Sequence, residues 1–244
     1  MPNYRLTLCY DGTRYNGWQR QASTKNTIQE KIETALTRIL GEPVEVSGSG
    51  RTDAGAHARM QTASFRTQSK MSAREILDGL RAHLPEDIGA VSLEEAPPRF
   101  HARLSCSGKT YLYRVWTSDA PCVFERKYVY VRRGGLDIFK MREGAALLLG
   151  EHDFAAFCTG KTKKSTVRRI DEVRLEQSEN ELRLWFSGNG FLYNMVRILA
   201  GTLLEIGAGA MRPDDIPAIL ASRRRENAGP TLPARGLCLW ETRY

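Results

Sequence analysis

Two apolar periods alternate along this chain, and that alternation restricts what it can fold into more than any single motif does. Residues 4–10 set Tyr4, Leu6 and Leu8 against Arg5, Thr7 and Cys9, the period of two of a half-buried strand, and a turn follows at Asp11-Gly12. Thr27-Ile-Gln-Glu30 then has the form of a capping box. Beyond it Ile28, Ile32, Ala35, Leu36 and Ile39 recur on one face as far as Gly41, a residue suited to a helix C-terminus. Strands are expected at 44–47 and 60–65. A second capping box, Ser72-Ala-Arg-Glu75, opens a helix carrying Ile76, Leu77, Leu80 and Leu84 that Pro85 stops. A strand at 88–94 and the Pro97-Pro98 break close a first half, 1–105.

The second half, 106–244, begins again with a strand at 109–116, with Tyr111, Tyr113 and Val115 on one face. A helix is expected at 139–149, a strand pair at 167–175 and 181–187, a long helix at 191–206 and a closing strand at 235–244. Strands and helices thus recur in a similar order, although the two halves share no sequence repeat. The pattern predicts an α+β protein of two related, ferredoxin-like α/β halves that share a mainly antiparallel sheet and together form one catalytic unit.

Composition narrows the partners. With 41% hydrophobic residues in 244, the chain has enough apolar surface for a sizeable core. A formal charge of +8 and a pI near 9.4 favour a polyanion, nucleic acid first. Met1-Pro-Asn-Tyr-Arg leads directly into the first strand without the apolar core of a secretory signal, and no run approaches a membrane span. The five cysteines are scattered, with no Cys-x-x-Cys pair, and the four histidines lack metal-site spacing. The expectation is a cytoplasmic protein with reduced cysteines, no membrane association and no structural metal.

Residues 48–58, Gly-Ser-Gly-Arg-Thr-Asp-Ala-Gly-Ala-His-Ala, display one carboxylate, Asp53, among small residues that let a large ligand approach the main chain. Arg51 and His57 flank it and are candidates to grip phosphates. Taken alone, Thr-Asp-Ala-Gly is more often an ordinary turn. Arg197 is the only charge in the apolar stretch 191–204 and needs a partner. It can snorkel to solvent, pair with Glu205, or pair with Asp53, and in the last case the carboxylate stays ionised, as a nucleophile or base requires. Tyr111 lies among Lys109, Tyr113, Arg114 and Trp116, a mixture that suits stacking on a nucleobase, although a strand core is the commoner fate of aromatics at this spacing. Lys161, Lys163, Lys164, Arg168 and Arg169 form one basic run and Arg223-Arg-Arg225 another. Each can track a phosphate backbone or be a solvated face. Gly48-Ser-Gly-Arg-Thr lacks the lysine and spacing of a P-loop, and no strand leads into a dinucleotide-binding glycine pattern.

Taken in order, Tyr10-Asp-Gly12 with Gly17-Trp-Gln19, Gly50-Arg-Thr-Asp-Ala-Gly55, Phe100-His-Ala-Arg103, Lys109 with Tyr111, His152-Asp-Phe154, Phe191-Leu-Tyr with Met195-Val-Arg197, and Gly236-Leu237 closely resemble the motifs of the tRNA pseudouridine synthase A (TruA) family. Departures at Ala56, Met60-Gln-Thr and Cys106 leave the motif residues Asp53, Tyr111 and Arg197 in place. The resemblance implies the pseudouridine synthase fold and isomerisation of uridine to pseudouridine at positions 38, 39 and 40 of the tRNA anticodon arm. It implies no metal or organic cofactor, and a homodimer whose subunits both contact tRNA. It also implies that Asp53 is the catalytic nucleophile, that Tyr111 stacks on the target base and that Arg197 pairs with Asp53. Attack on C1′, addition to the base and removal of a C2′ proton to give a glycal all stay open as routes. Two other classes compete. A tRNA-binding protein has no need of an ionised acid held by a costly arginine, and a nucleoside hydrolase usually wants a second carboxylate that the Asp53 loop does not supply.

Overall fold

The computed structural model describes residues 1–160 and 165–244, and the chain divides into two compact units, Met1–Ser107 with Cys238–Tyr244, and Gly108–Leu237. The strand that closes the chain therefore packs with the first unit rather than with the 106–244 half in which the sequence places it.

The first unit is built from β1 (Asn3–Tyr10), α1 (Ile28–Leu40), β2 (Ser47–Gly48), β3 (His57–Arg66), α2 (Ala73–His83) and β4 (Ile88–Ala96). β1 is central, antiparallel to β3 on one side and to β4 on the other. The closing strand, Leu237–Arg243, pairs in parallel with the start of β3, Cys238 opposite His57, while β2 pairs with β3 at Ala63 and Ser64. The apolar periods seen in the sequence become the core: Leu6, Leu8, Ile28, Ile32, Leu36, Ile76 and Leu80 are all buried. The Ser72 capping box forms in full, with Ser72 and Glu75 each bonded to the other's backbone. Only half of the Thr27 box forms. Thr27 accepts from the Glu30 backbone, while the Glu30 carboxylate turns to Arg20 at 2.9 Å. The strand expected at 44–47 shrinks to Ser47–Gly48. Val46 bonds instead to side chains of α1: its N–H donates to Glu33 Oε1 at 3.0 Å and its carbonyl accepts from Gln29 Nε2 at 3.1 Å. Helix side chains thus replace the strand partners that its buried peptide groups require.

The second unit contains β5 (Gly108–Trp116), β6 (Tyr130–Val131), α3 (Ile138–Ala146), β7 (Gly150–Asp153), β8 (Val167–Gln177), β9 (Glu181–Gly188), α4 (Met195–Gly207) and α5 (Asp215–Ser222). Its sheet runs β5–β9–β8–β7, antiparallel throughout, with β6 added in parallel to the end of β5. Apart from Arg183, every residue of β9 is buried, so both its faces are covered, and α4 contributes the fully buried Ile198, Leu199, Leu203 and Ile206. Gly201 brings another chain segment onto α4, since a Cβ there would lie 2.0 Å from the Pro230 carbonyl. The helix expected at 191–206 starts four residues late, because Asn194 adopts a left-handed conformation (φ 62°) that no α-helix can include. Both units are mixed α/β with mainly antiparallel sheets, the predicted class. Among the described residues, no helix is long and apolar enough to cross a membrane.

Candidate active site

Asp53 sits at the start of a β-turn whose closing bond runs from the Ala56 N–H to the Asp53 carbonyl at 3.1 Å. Gly55 occupies the third position with φ 80°, the positive value that a type II turn demands and that glycine supplies without strain. The turn is fixed on both sides by main-chain bonds to the segment after β1: Gly55 N–H to the Tyr15 carbonyl (3.2 Å) and Trp18 N–H to the Thr52 carbonyl (3.0 Å). The fit leaves no room for side chains. A Cβ on Gly12 would lie 1.9 Å from the Ala56 carbonyl oxygen, and one on Gly17, itself at φ 86°, 2.7 Å from that of Thr52. At Gly12 and Gly17 it is the protein's own backbone that makes the close approach. The Asp53 side chain is half-buried at the head of this assembly.

A buried polar relay supports the loop from beneath. Gln61 on β3, with no exposed surface, accepts from Ser49 Oγ at 2.6 Å and donates to the Gly50 carbonyl at 2.9 Å. The Tyr10 hydroxyl meets Thr52 Oγ1 at 2.9 Å. Residues 49, 50 and 52 thus each have a fixed partner immediately before Asp53. Burial drives the Tyr10 phenol far above its ordinary pKa, so it stays a neutral hydroxyl. On the far side, Tyr15 donates to Asp87 Oδ1 at 2.5 Å, while Arg14 binds Asp87 Oδ2 through Nε at 2.9 Å and Nη2 at 2.6 Å. The Tyr15 phenol too is raised well above its usual range, chiefly by burial and then by its bond to Asp87.

The two residues flanking Asp53 differ. Arg51 is exposed and tethered by Nε to Gln19 Oε1 at 3.0 Å, with Gln19 in turn held by Gln29 of α1. His57 is buried, at 6% exposure. Its Nδ1 accepts from the Gly12 N–H at 3.1 Å. The same nitrogen lies 3.2 Å from Asp11 Oδ1, which already receives the N–H and O–H of Thr13. A ring nitrogen that accepts cannot also donate, so the Gly12 bond defines its role. The phosphate grip expected of both residues suits the exposed Arg51, whereas the His57 ring supports the 11–13 turn.

In the second unit, Tyr111 on β5 is buried and meets the Phe191 ring edge-on, with centroids 5.1 Å apart at 82°. Arg197, in the first turn of α4, is half-buried. Its Nε donates to the Leu232 carbonyl and its Nη1 to Asn194 Oδ1, both at 2.6 Å. An arginine in an apolar helix therefore does have polar partners, as burial requires. Asn194 was not singled out from the sequence. Its signal is an Asn, the residue most tolerant of left-handed backbone after Gly, three positions before the lone charge of a helix.

Of the first basic run, Lys161, Lys163 and Lys164 lie outside the described residues. Arg168 and Arg169 are on β8, where Arg169 pairs with Asp171 at 2.8 Å and Arg168 Nη1 donates to the Ser165 carbonyl at 2.9 Å. The second run also has partners within the protein. Arg223 pairs with Asp153 at 2.9 Å, Arg224 with Glu226 at 3.2 Å, and Arg225 binds the Ala228 carbonyl and Thr231.

A family model described as tRNA pseudouridine synthase matches residues 8–104 and 145–244, spans that include the Asp53 loop and Arg197. The chain is 42% identical, over the full length of both proteins, to "tRNA pseudouridine synthase A 2" of Clostridium perfringens. It is 44% identical to a protein of that name from Clostridium tetani, over 99% of this chain and 98% of the other. Against "tRNA pseudouridine synthase A" of a Bacillus species the identity is 42% over 94% of each. With its carboxylate held on a main-chain-fixed turn, and with these relatives matched over 94% or more of its length, the chain belongs to the tRNA pseudouridine synthase family.

Proposed function

We propose that this chain isomerises uridine to pseudouridine at positions 38, 39 and 40 of the tRNA anticodon arm, with Asp53 as nucleophile. The observation that carries the reading is the Asp53 turn itself, whose main chain is bonded on both sides before any substrate arrives. Such preorganisation is what catalysis by a positioned carboxylate requires. The reaction breaks the N1–C1′ bond, turns the trapped uracil, forms the C5–C1′ bond, and passes the C5 proton to solvent while N1 regains one. Atoms and electrons balance without a cofactor. As nucleophile Asp53 attacks C1′ or the base; in the remaining route named above, removal of the C2′ proton, the same carboxylate acts as a base instead.

The target nucleotide must leave its stack to reach Asp53, which costs a few kcal/mol. In this proposal Tyr111 stacks on the extruded base, Arg197 pairs with Asp53, and Arg51, Arg168 and Arg169 contact phosphates, with Lys161, Lys163 and Lys164 assigned to the same role. His57 takes part through the 11–13 turn that it supports. The enzyme works as a homodimer in the cytoplasm, with both subunits on one tRNA. Net charge of +8 supports the polyanionic partner. The test is to incubate purified protein with unmodified tRNA transcripts carrying uridine at 38, 39 or 40 and to map pseudouridine by carbodiimide-dependent primer extension. Conversion at those positions is expected. Conversion confined to another arm, or none, would overturn the assignment.

A further inference from the structure

Asn194 breaks the usual rule for the residue that precedes a helix. Such a residue normally has extended backbone, and its side-chain oxygen accepts from the main-chain N–H of the second or third residue beyond it. Asn194 has φ 62° and ψ 3°, and its side chain caps no backbone N–H. The third residue beyond it is Arg197, and Asn194 Oδ1 holds that residue's side chain instead, accepting from Nη1 at 2.6 Å. At its other end, Nδ2 donates to Thr159 Oγ1 at 2.6 Å. Arginine has no acceptor, so the amide can face it only through oxygen, and Thr159 takes the remaining donor. A second arm fixes the same guanidinium: Nε donates to the Leu232 carbonyl, and the Leu232 N–H returns to the Arg197 carbonyl at 3.4 Å. Thr202 secures that arm, accepting from the Gly229 N–H at 2.9 Å. Two bonds to different N–H groups of a planar fork set both its plane and its direction.

A forgone capping bond and a left-handed non-glycine residue each cost stability, so helix formation alone does not favour this arrangement. Arg223 is the only other non-glycine residue with positive φ among those described. We propose that Asn194 is a positioning residue for the reaction: through Oδ1, and anchored by Thr159, it aims the Arg197 guanidinium before tRNA binds. The inference rests on the role given to Arg197 above.

The test measures kcat, KM, tRNA affinity and melting temperature for Asn194→Gly and Asn194→Asp, each in wild-type and Arg197→Lys backgrounds. Glycine keeps the left-handed backbone and removes only the side-chain bonds. The expected result is a nearly unchanged melting temperature and tRNA affinity, with kcat reduced about 10- to 100-fold. Aspartate presents an oxygen to Arg197 and accepts from the Thr159 hydroxyl, so it recovers most of that loss. In the Arg197→Lys background, Asn194→Gly adds no further loss. Equal losses in both backgrounds, or a fall in melting temperature that matches the fall in activity without rescue by aspartate, would overturn the proposal. An Arg197→Lys enzyme with wild-type turnover would show that the role of Arg197 fails, and the positioning role with it. Full activity of Asn194→Gly beside an inactive Arg197→Lys enzyme would reject the positioning role alone.

Discussion

The Asp53 loop and the segment leading into α4 solve the same problem, holding one charged group still, by different means. Asp53 is fixed through main chain: Gly55 and Trp18 N–H groups bond to carbonyls, and glycines at 12 and 17 allow backbones to touch. Arg197 is fixed through side chains and one carbonyl, by Asn194, Thr159 and Leu232. The contrast follows from length. Aspartate carries its charge one carbon from the backbone, so placing the backbone places the carboxylate. Arginine carries it at the end of a flexible stem, so the head group needs its own partners.

Substitutions that add a methyl group should therefore break the first region wherever backbones touch. Gly12→Ala has the largest expected effect, because its Cβ would lie 1.9 Å from the Ala56 oxygen. We expect about 3 kcal/mol or more of destabilisation, read by denaturant unfolding, with turnover lost in the fraction that still folds. Gly41→Ala isolates backbone conformation from contact, since Gly41 has φ 72° but a Cβ there would meet nothing within 4 Å. Its cost should be only about 1 kcal/mol, with turnover intact. Between the two lies Gln61→Leu, which strands the Ser49 hydroxyl and the Gly50 carbonyl in the interior. About 2 kcal/mol of stability should be lost, and kcat should fall more than tRNA affinity. A small effect is also expected of Thr159→Val, which removes the anchor of Asn194 without touching Arg197. It should cost about 1 kcal/mol and lower kcat less than Asn194→Gly does. A Thr159→Val enzyme more impaired than Asn194→Gly would reverse the order of the clamp.

Much of this was legible in the sequence, for identifiable reasons. Periodicity marks Leu6, Leu8, Ile32 and Leu36 because burial of one face is decided locally, and all four are in the core. Asp53 and Arg197 stand out as lone charges among small or apolar neighbours. What escaped depends on partners distant in sequence. Val46 looks like strand, but its backbone is satisfied by Gln29 and Glu33. His57 looks like a phosphate ligand, but it is buried against Gly12, 45 residues away. Asn194 sits inside an apolar run that reads as continuous helix, and only its bonds to Thr159 and Arg197 reveal why the helix begins after it.

The most direct measurement of the central claim compares the wild-type protein with Asp53→Asn on tRNA carrying tritium at carbon 5 of uridine, scoring tritium release alongside filter-binding affinity. The variant is nearly isosteric and keeps every main-chain bond of the turn. We predict tritium release by the wild-type protein, with pseudouridine in the anticodon arm, and tRNA binding without release by Asp53→Asn. Substantial release by Asp53→Asn would contradict the assignment of Asp53 as nucleophile.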